Sequence, residues 1–400
     1  MPKRPSIKHG KLEIFLKPVG ANAYRFKDDA SAASIITGED GNKISEFPFE
    51  SVEAKTPTLF FNDRIIQMRS EGENIFTPLV PHLFDEAFTF RFEPEACVRK
   101  LDVPRNVQGK TAVVVPYFHF GRNAQMCENY QRFINRLNFK DVFVIECALP
   151  GDFEIPESLQ FIRIEADSGN LMWQKERLIN IAIKALPKEY TNVAWIDADV
   201  WFDDKDWHKE LNEKLQDFAF VQLFDSAEHL DENDKPEFRF RSPFSSNRPE
   251  LRPHPGFAWA ARREIVEAAG GIFDYHVMGD GDSFIRQALN DIVHDDSTGH
   301  SQEILLALPG FQYKYLSYKN ALQKLGGGSA TCLSGNVKHL FHGPLSTRQY
   351  QTRQKILIRN GYDPVKDLII DKSGLFRWVQ SERTDTIKLE IGKYFNRATE

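Results

Sequence analysis

At 400 residues the chain exceeds the usual size of one domain, so two domains are expected. Hydrophobic residues make up 41% of it, with 32 phenylalanines, which is enough for a substantial core. A net charge of −6 argues against nucleic acid or an anionic membrane as partner of the whole surface, and leaves only a local basic patch open. The four cysteines, Cys97, Cys127, Cys147 and Cys332, form no Cys-x-x-Cys pair and no zinc spacing, so reduced thiols in a cytosolic compartment are the simplest reading. Met1-Pro2-Lys3-Arg4-Pro5 is basic, but no apolar segment follows it and no run is long enough to span a bilayer. A cytoplasmic protein, of a bacterium or a phage-infected host, is the expectation.

Residues 1–108 have their own texture. Short apolar runs such as Leu12-Glu13-Ile14-Phe15-Leu16, Thr58-Leu59-Phe60-Phe61 and Phe88-Thr89-Phe90-Arg91-Phe92, several alternating with period two, are separated by Pro, Gly and Asp. This predicts a small β-rich domain without catalytic spacing. Residues 103–109 read as a linker.

From Lys110 the pattern becomes strand and helix in alternation. Strands are predicted at 111–115, 142–147, 161–164 and 193–196, with helices at 123–137 and 171–186. The second helix places Leu178, Ile179, Ala182, Ile183 and Leu186 on one face and stops at Pro187. Such alternation implies a mostly parallel α/β sheet, whose ligands sit beyond the carboxyl ends of the strands. The catalytic-type domain is expected to span 109–365, with 366–400 as a C-terminal extension. Residues 225–255, charged and Pro-rich, read as a long loop in which Phe238, Phe240 and Phe244 alternate with arginines and could grip an acceptor or stack on bases.

The chemistry centres on Val193-Ala194-Trp195-Ile196-Asp197-Ala198-Asp199, an apolar strand ending in two carboxylates one residue apart. Residues i and i+2 of an extended segment face the same way, so Asp197 and Asp199 are candidates to hold one hard cation, Mg²⁺ or Mn²⁺, by oxygen ligation alone. Four further segments fit around it. The loop Pro116-Tyr117-Phe118-His119-Phe120-Gly121-Arg122-Asn123 follows the first strand and could seat a base and ribose, with Arg122 the natural contact and Asn123 a helix cap. Trp173, Arg177 and Asn180 form a polar stripe that faces either the nucleotide or solvent. Trp259, in a strand of small residues, offers an indole wall for a sugar. Asp280 and Asp282 lie in a glycine-rich turn opening a helix, placed to accept a proton from an acceptor hydroxyl or simply to cap that helix. His342 ends a strand and is a candidate third metal ligand. The helix predicted over 346–360 carries Arg348 and three further cations that could neutralise a leaving diphosphate.

Taken in order, the loop with Arg-Asn, the helix with Lys-Glu-Arg…Asn, Asp-x-Asp, Gly-Phe-Ala-Trp…Gly-Gly-x-x-Asp, Gly-Asp-x-Asp and His-x-x-His-Gly resemble a GT-A fold glycosyltransferase of the galactosyltransferase or polypeptide N-acetylgalactosaminyltransferase type. The tail from His342 to Tyr350, with Gly361-Tyr362-Asp363-Pro364, resembles glycosyltransferase-like proteins of bacteria, phages and large viruses. The resemblance covers about residues 110–365. It implies a divalent metal, usually Mn²⁺, held by Asp199 and His342, with Asp197 on the ribose or on the metal through water. It also implies a nucleotide-sugar donor, most often a UDP-sugar, and Asp282 as acceptor base or sugar-binding group. Galactosyltransferases place adjacent acids where this chain has Asp280-Gly281-Asp282, which leaves base and stereochemistry open. A saccharide or glycoconjugate is the default acceptor, with a hydroxymethylated base in DNA as the less favoured one. A nucleotidyltransferase and a catalytically inactive sugar-binding module are the other readings.

Overall fold

The computed structural model describes residues 109–398, apart from 121–123, 158–159, 290–298, 326–328 and 344–352, together with the strands that lie between Ser6 and Arg91. Those early strands form one eight-stranded sheet in which every neighbouring pair is antiparallel. Strands are what the period-two alternation predicts for this stretch.

The second sheet has seven strands: β1 (Lys110–Phe118), β2 (Val142–Ala148), β3 (Phe161–Glu165), β4 (Tyr190–Ile196), β5 (Phe220–Gln222), β6 (Ala258–Arg262) and β7 (Ala330–Cys332). Their order is β3-β2-β1-β4-β6-β5-β7. All neighbours run parallel except β6, which is antiparallel to both β4 and β5. The central strands are apolar almost continuously because both faces are covered. Val113, Val115, Ala194 and Ile196 point into a core with α1 (Ala124–Arg136) and α2 (Trp207–Asp217). Ala112, Val114, Val193 and Trp195 point the other way, into a core with α3 (Lys175–Ala185), α4 (Gly281–Leu289) and α5 (Pro309–Lys324). This is the α/β sheet flanked by helices that the sequence pattern implied.

Two segments differ from expectation. Helix α3 starts at Lys175 rather than 171, because Asp167 caps a short 3-10 turn at Ser168–Asn170 and the chain then crosses to the helix irregularly. Residues 225–255 are not a loop. They supply strands Ser226–Leu230, Pro236–Arg241 and Arg252–Pro253 to a five-stranded sheet completed by Val200–Phe202 and Asn336–His339. The Phe/Arg alternation read as a loop is the period of a strand with two unlike faces.

The C-terminal segment packs into the main core. Strands Leu368–Ile370 and Phe376–Trp378 pair as a hairpin, and α6 (Glu382–Ala398) follows. Leu375, Phe376, Trp378, Ile387 and Ile391 are buried in the same cluster as α3 and α4. Gln174, just before α3, donates to Phe376 O at 2.8 Å.

Candidate active site

Strand β4 ends at Ile196 and the next strand begins at Val200, so Asp197 and Asp199 stand in a turn and the strand's side-chain alternation lapses between them. The turn is pinned at both acids. Asp197 N–H donates to Phe257 O, and Asp199 O accepts from Leu340 N–H, each at 2.9 Å. The side chains meet different partners, Asp197 a lysine and Asp199 two histidines.

Asp199 faces a pair of histidines. Val200 pairs with His339 across the five-stranded sheet, which sets His339 beside the turn. His342 Nε2 is 3.3 Å and His339 Nε2 3.5 Å from Asp199 Oδ2. The three side chains bring ligand atoms within 4.8 Å of one another, and among the described residues no other group of His, Cys, Asp and Glu converges in this way. Alternation in an unbroken strand would set His339 and His342 on opposite faces. The strand stops at His339, the chain turns, and both imidazoles reach the same carboxylate. One carboxylate and two imidazoles form a mixed oxygen and nitrogen donor set, which suits a divalent transition metal better than it suits Mg²⁺. Rings wall this centre: His229 stacks on His339 at 4.5 Å, and His254 lies parallel to Phe257 at 4.1 Å. Phe257 holds φ at 81°, a left-handed conformation that costs a bulky residue about 1–3 kcal/mol.

Asp197 belongs to a second cluster. Lys175, at the first position of α3, places Nζ 2.7 Å from Asp197 Oδ1 and 3.0 Å from Asp282 Oδ2. Burial pulls the Lys175 pKa down, but Asp197 and Asp282 together hold it well above the usual lysine value. Burial raises the Asp197 carboxyl, Lys175 opposes that, and the nearby charge of Asp282 adds to it. Glu176 lies behind them, and burial lifts its pKa to about 8. It packs on Gly281 so closely that a Cβ there would fall 2.4 Å from Glu176 Oε1. Asp280 turns inward with φ at 77° and accepts from Ser283 Oγ at 2.5 Å, and burial raises its pKa. Of the Asp280–Asp282 pair, Asp282 is the one that joins the lysine.

Other sequence candidates are placed as follows. Arg177 and Asn180 do form a stripe, but both are engaged with the buried Asp274, at 3.2 and 2.9 Å. Asn180 also bonds the backbone of Ile272 in both directions, and Arg177 donates to Gly374 O. They clamp the chain ahead of α4. Trp259 is wholly buried and donates to Pro255 O at 2.7 Å, so its indole is core, not an open wall for a sugar. Pro116 is buried within β1 opposite Ile145 rather than in the loop after it. Arg122, Asn123 and Arg348 lie outside the described residues.

No protein-family model matches the chain, and no curated protein matches it in sequence. Several solved structures are similar to it in fold. Glucosyl-3-phosphoglycerate synthase from Mycobacterium tuberculosis, solved with Mg²⁺ and uridine diphosphate, is 13% identical over 63% of this chain and 78% of its own, at a TM-score of 0.32. Drosophila beta-1,4-galactosyltransferase 7, solved with manganese, UDP-Gal and xylobiose, is 13% identical over 45% of this chain, at a TM-score of 0.26. The chain spans 61% of that galactosyltransferase's length. The 4-diphosphocytidyl-2C-methyl-D-erythritol synthase of Anaerococcus prevotii is 12% identical over 56% of this chain and 87% of its own, at a TM-score of 0.28. No helix among the described residues is long and apolar enough to cross a membrane.

Proposed function

We propose that this protein is a metal-dependent glycosyltransferase that moves a sugar from a nucleotide-sugar, with UDP-sugars the first donors to test, onto an acceptor hydroxyl. The observation that supports this reading is the adjacency, at one strand end, of a three-ligand metal-type centre and a lysine-bridged pair of carboxylates. Asp199, His339 and His342 are the residues that would hold Mn²⁺. Bound there, the cation supplies Lewis acidity toward the departing diphosphate. Asp282 accepts the proton of the acceptor hydroxyl while that oxygen bonds the sugar carbon and the carbon–phosphate oxygen bond breaks. Lys175 fixes the Asp282 carboxylate in place and keeps it apart from Asp197.

The test pairs a binding readout with turnover. Mn²⁺ titration followed by EPR should give tight binding that Asp199→Ala abolishes, and donor hydrolysis over a panel of UDP-, GDP-, CMP- and TDP-sugars should require the metal. Full metal-dependent turnover by Asp199→Ala would overturn the assignment. Release of pyrophosphate from a nucleoside triphosphate, instead of a nucleoside diphosphate from a sugar donor, would mark a nucleotidyltransferase.

A further inference from the structure

The hairpin Ser226–Leu230/Pro236–Arg241 has two chemically unlike faces. Its register pairs Ala227 with Phe240 and His229 with Phe238. Directly opposed residues share a face, so Phe238 and Phe240 stand on the side that carries Ala227 and His229. That side is the metal-type centre: His229 stacks on His339, and the Phe240 ring lies 5.2 Å from His229 and 5.0 Å from His254. Phe238 sits one pleat further out, about 7 Å along the strand from Phe240. Its ring is 42% exposed. The chain thus leaves an aromatic ring in water at the rim of its own candidate site.

The opposite face carries the charge, and that charge is engaged. Arg239 lies 3.1 Å from Glu228, Lys338 3.0 Å from Asp203, and Arg248 3.9 Å from Asp225. Arg241 donates to the carbonyls of Leu251, Ser242 and Ser245. Cations paired with Glu228, Asp225 and Asp203 offer a phosphodiester backbone less counter-charge. Gly256 adjoins both His254 and Asp282: a Cβ there would meet His254 Cε1 at 2.9 Å and lie 3.6 Å from Asp282 Oδ2.

We infer that the Phe238–Phe240 face is the docking platform for a neutral saccharide acceptor, whose pyranose C–H face stacks on the rings while a hydroxyl reaches past Gly256 toward Asp282. The inference rests on the glycosyl-transfer reading and names the acceptor class for it. The arginines of this hairpin, which suggested a nucleic-acid grip, point away from the site.

Saturation-transfer difference NMR on the full chain without metal, with cellobiose and maltotriose as probes, tests it. At least one probe should respond at its ring C–H protons. Phe238→Ala should cut that response about fivefold, the size expected for loss of one stacking contact, and Phe238→Trp should restore it. Phe238 is exposed, so neither variant threatens folding, and Mn²⁺ affinity by EPR should be unchanged in both. No response from either probe, a response indifferent to Phe238→Ala, or displacement by a thymidylate oligomer overturns the platform. A wild-type protein that fails to bind Mn²⁺ strikes the glycosyltransferase reading instead, and leaves the saccharide result to be judged separately.

Discussion

At the scale of single residues, the site is defined by a shortage of cations. Lys175 serves both Asp197 and Asp282, and a third acid, Glu176, is buried against the same group. Leaving three carboxylates charged around one ammonium in a dry pocket is costly, so the most deeply buried of them holds its proton. With a folded pKa of about 8 against an ordinary 4.5, Glu176 binds a proton in the native state over a window where the unfolded chain has lost it. Its contribution to stability is full below pH 4.5 and is lost as pH rises toward 8. Glu176→Gln keeps the neutral shape and removes the titration. Urea unfolding at pH 5.5 and 8.5 should show the wild type losing more stability across that interval than Glu176→Gln. Parallel pH profiles for the two proteins would refute the protonated assignment.

At the scale of elements, the sequence spoke clearly wherever periodicity was unbroken. Strand β4 and its terminal acids were legible because residues 193–196, buried on both faces, read as an apolar run that ends at a carboxylate. The same periodicity misled where the element stopped. Alternation carried past Ile196 placed Asp197 with Asp199, and carried past His339 separated His339 from His342. In both cases a turn held by long-range backbone bonds, to Phe257 and Leu340, breaks the alternation. The usable signal for His339 was the His-x-x-His spacing at a strand end, not the alternation. Proline and charge density hid the hairpin at 226–241, although Phe238-Arg239-Phe240-Arg241 carried the period of a strand. The Arg177–Asn180 stripe was visible as a stripe, but nothing local told that Asp274, far along the chain, would take it up. The strand-end geometry makes a prediction of its own. If His339 is a ligand rather than a bystander, His339→Gln should weaken Mn²⁺ binding at least about tenfold, no less than loss of a group that merely orients a ligand. EPR titration measures this, and an affinity equal to wild type would return His339 to the role of a stacked partner for His229.

At the scale of the whole molecule, the sheet, the lysine cluster and the C-terminal segment depend on one another. The sequence suggested a catalytic unit closing near residue 365 with a separate extension after it. Leu368, Leu375, Phe376, Trp378, Ile387, Ile391 and Tyr394 are instead buried in the core that α3 and α4 share. Each such side chain contributes about 1.5–3 kcal/mol on burial, so together they supply on the order of 10 kcal/mol. That is comparable with the roughly 5–15 kcal/mol by which a whole domain is stable. The hairpin also holds the start of α3 directly, since Asn170 and Gln174 both donate to Phe376 O, and Arg377 pairs with Asp167 at 2.7 Å. Lys175 follows Gln174, so the tail positions the residue that bridges Asp197 and Asp282. We propose that the folding unit runs to the end of α6. A chain ending at residue 365 should show no cooperative melt by circular dichroism and should expose apolar surface to a hydrophobic dye, with or without Mn²⁺. A sharp transition within a few degrees of the full chain would mean that α3 is held by the sheet alone, and that the tail is an accessory to the site.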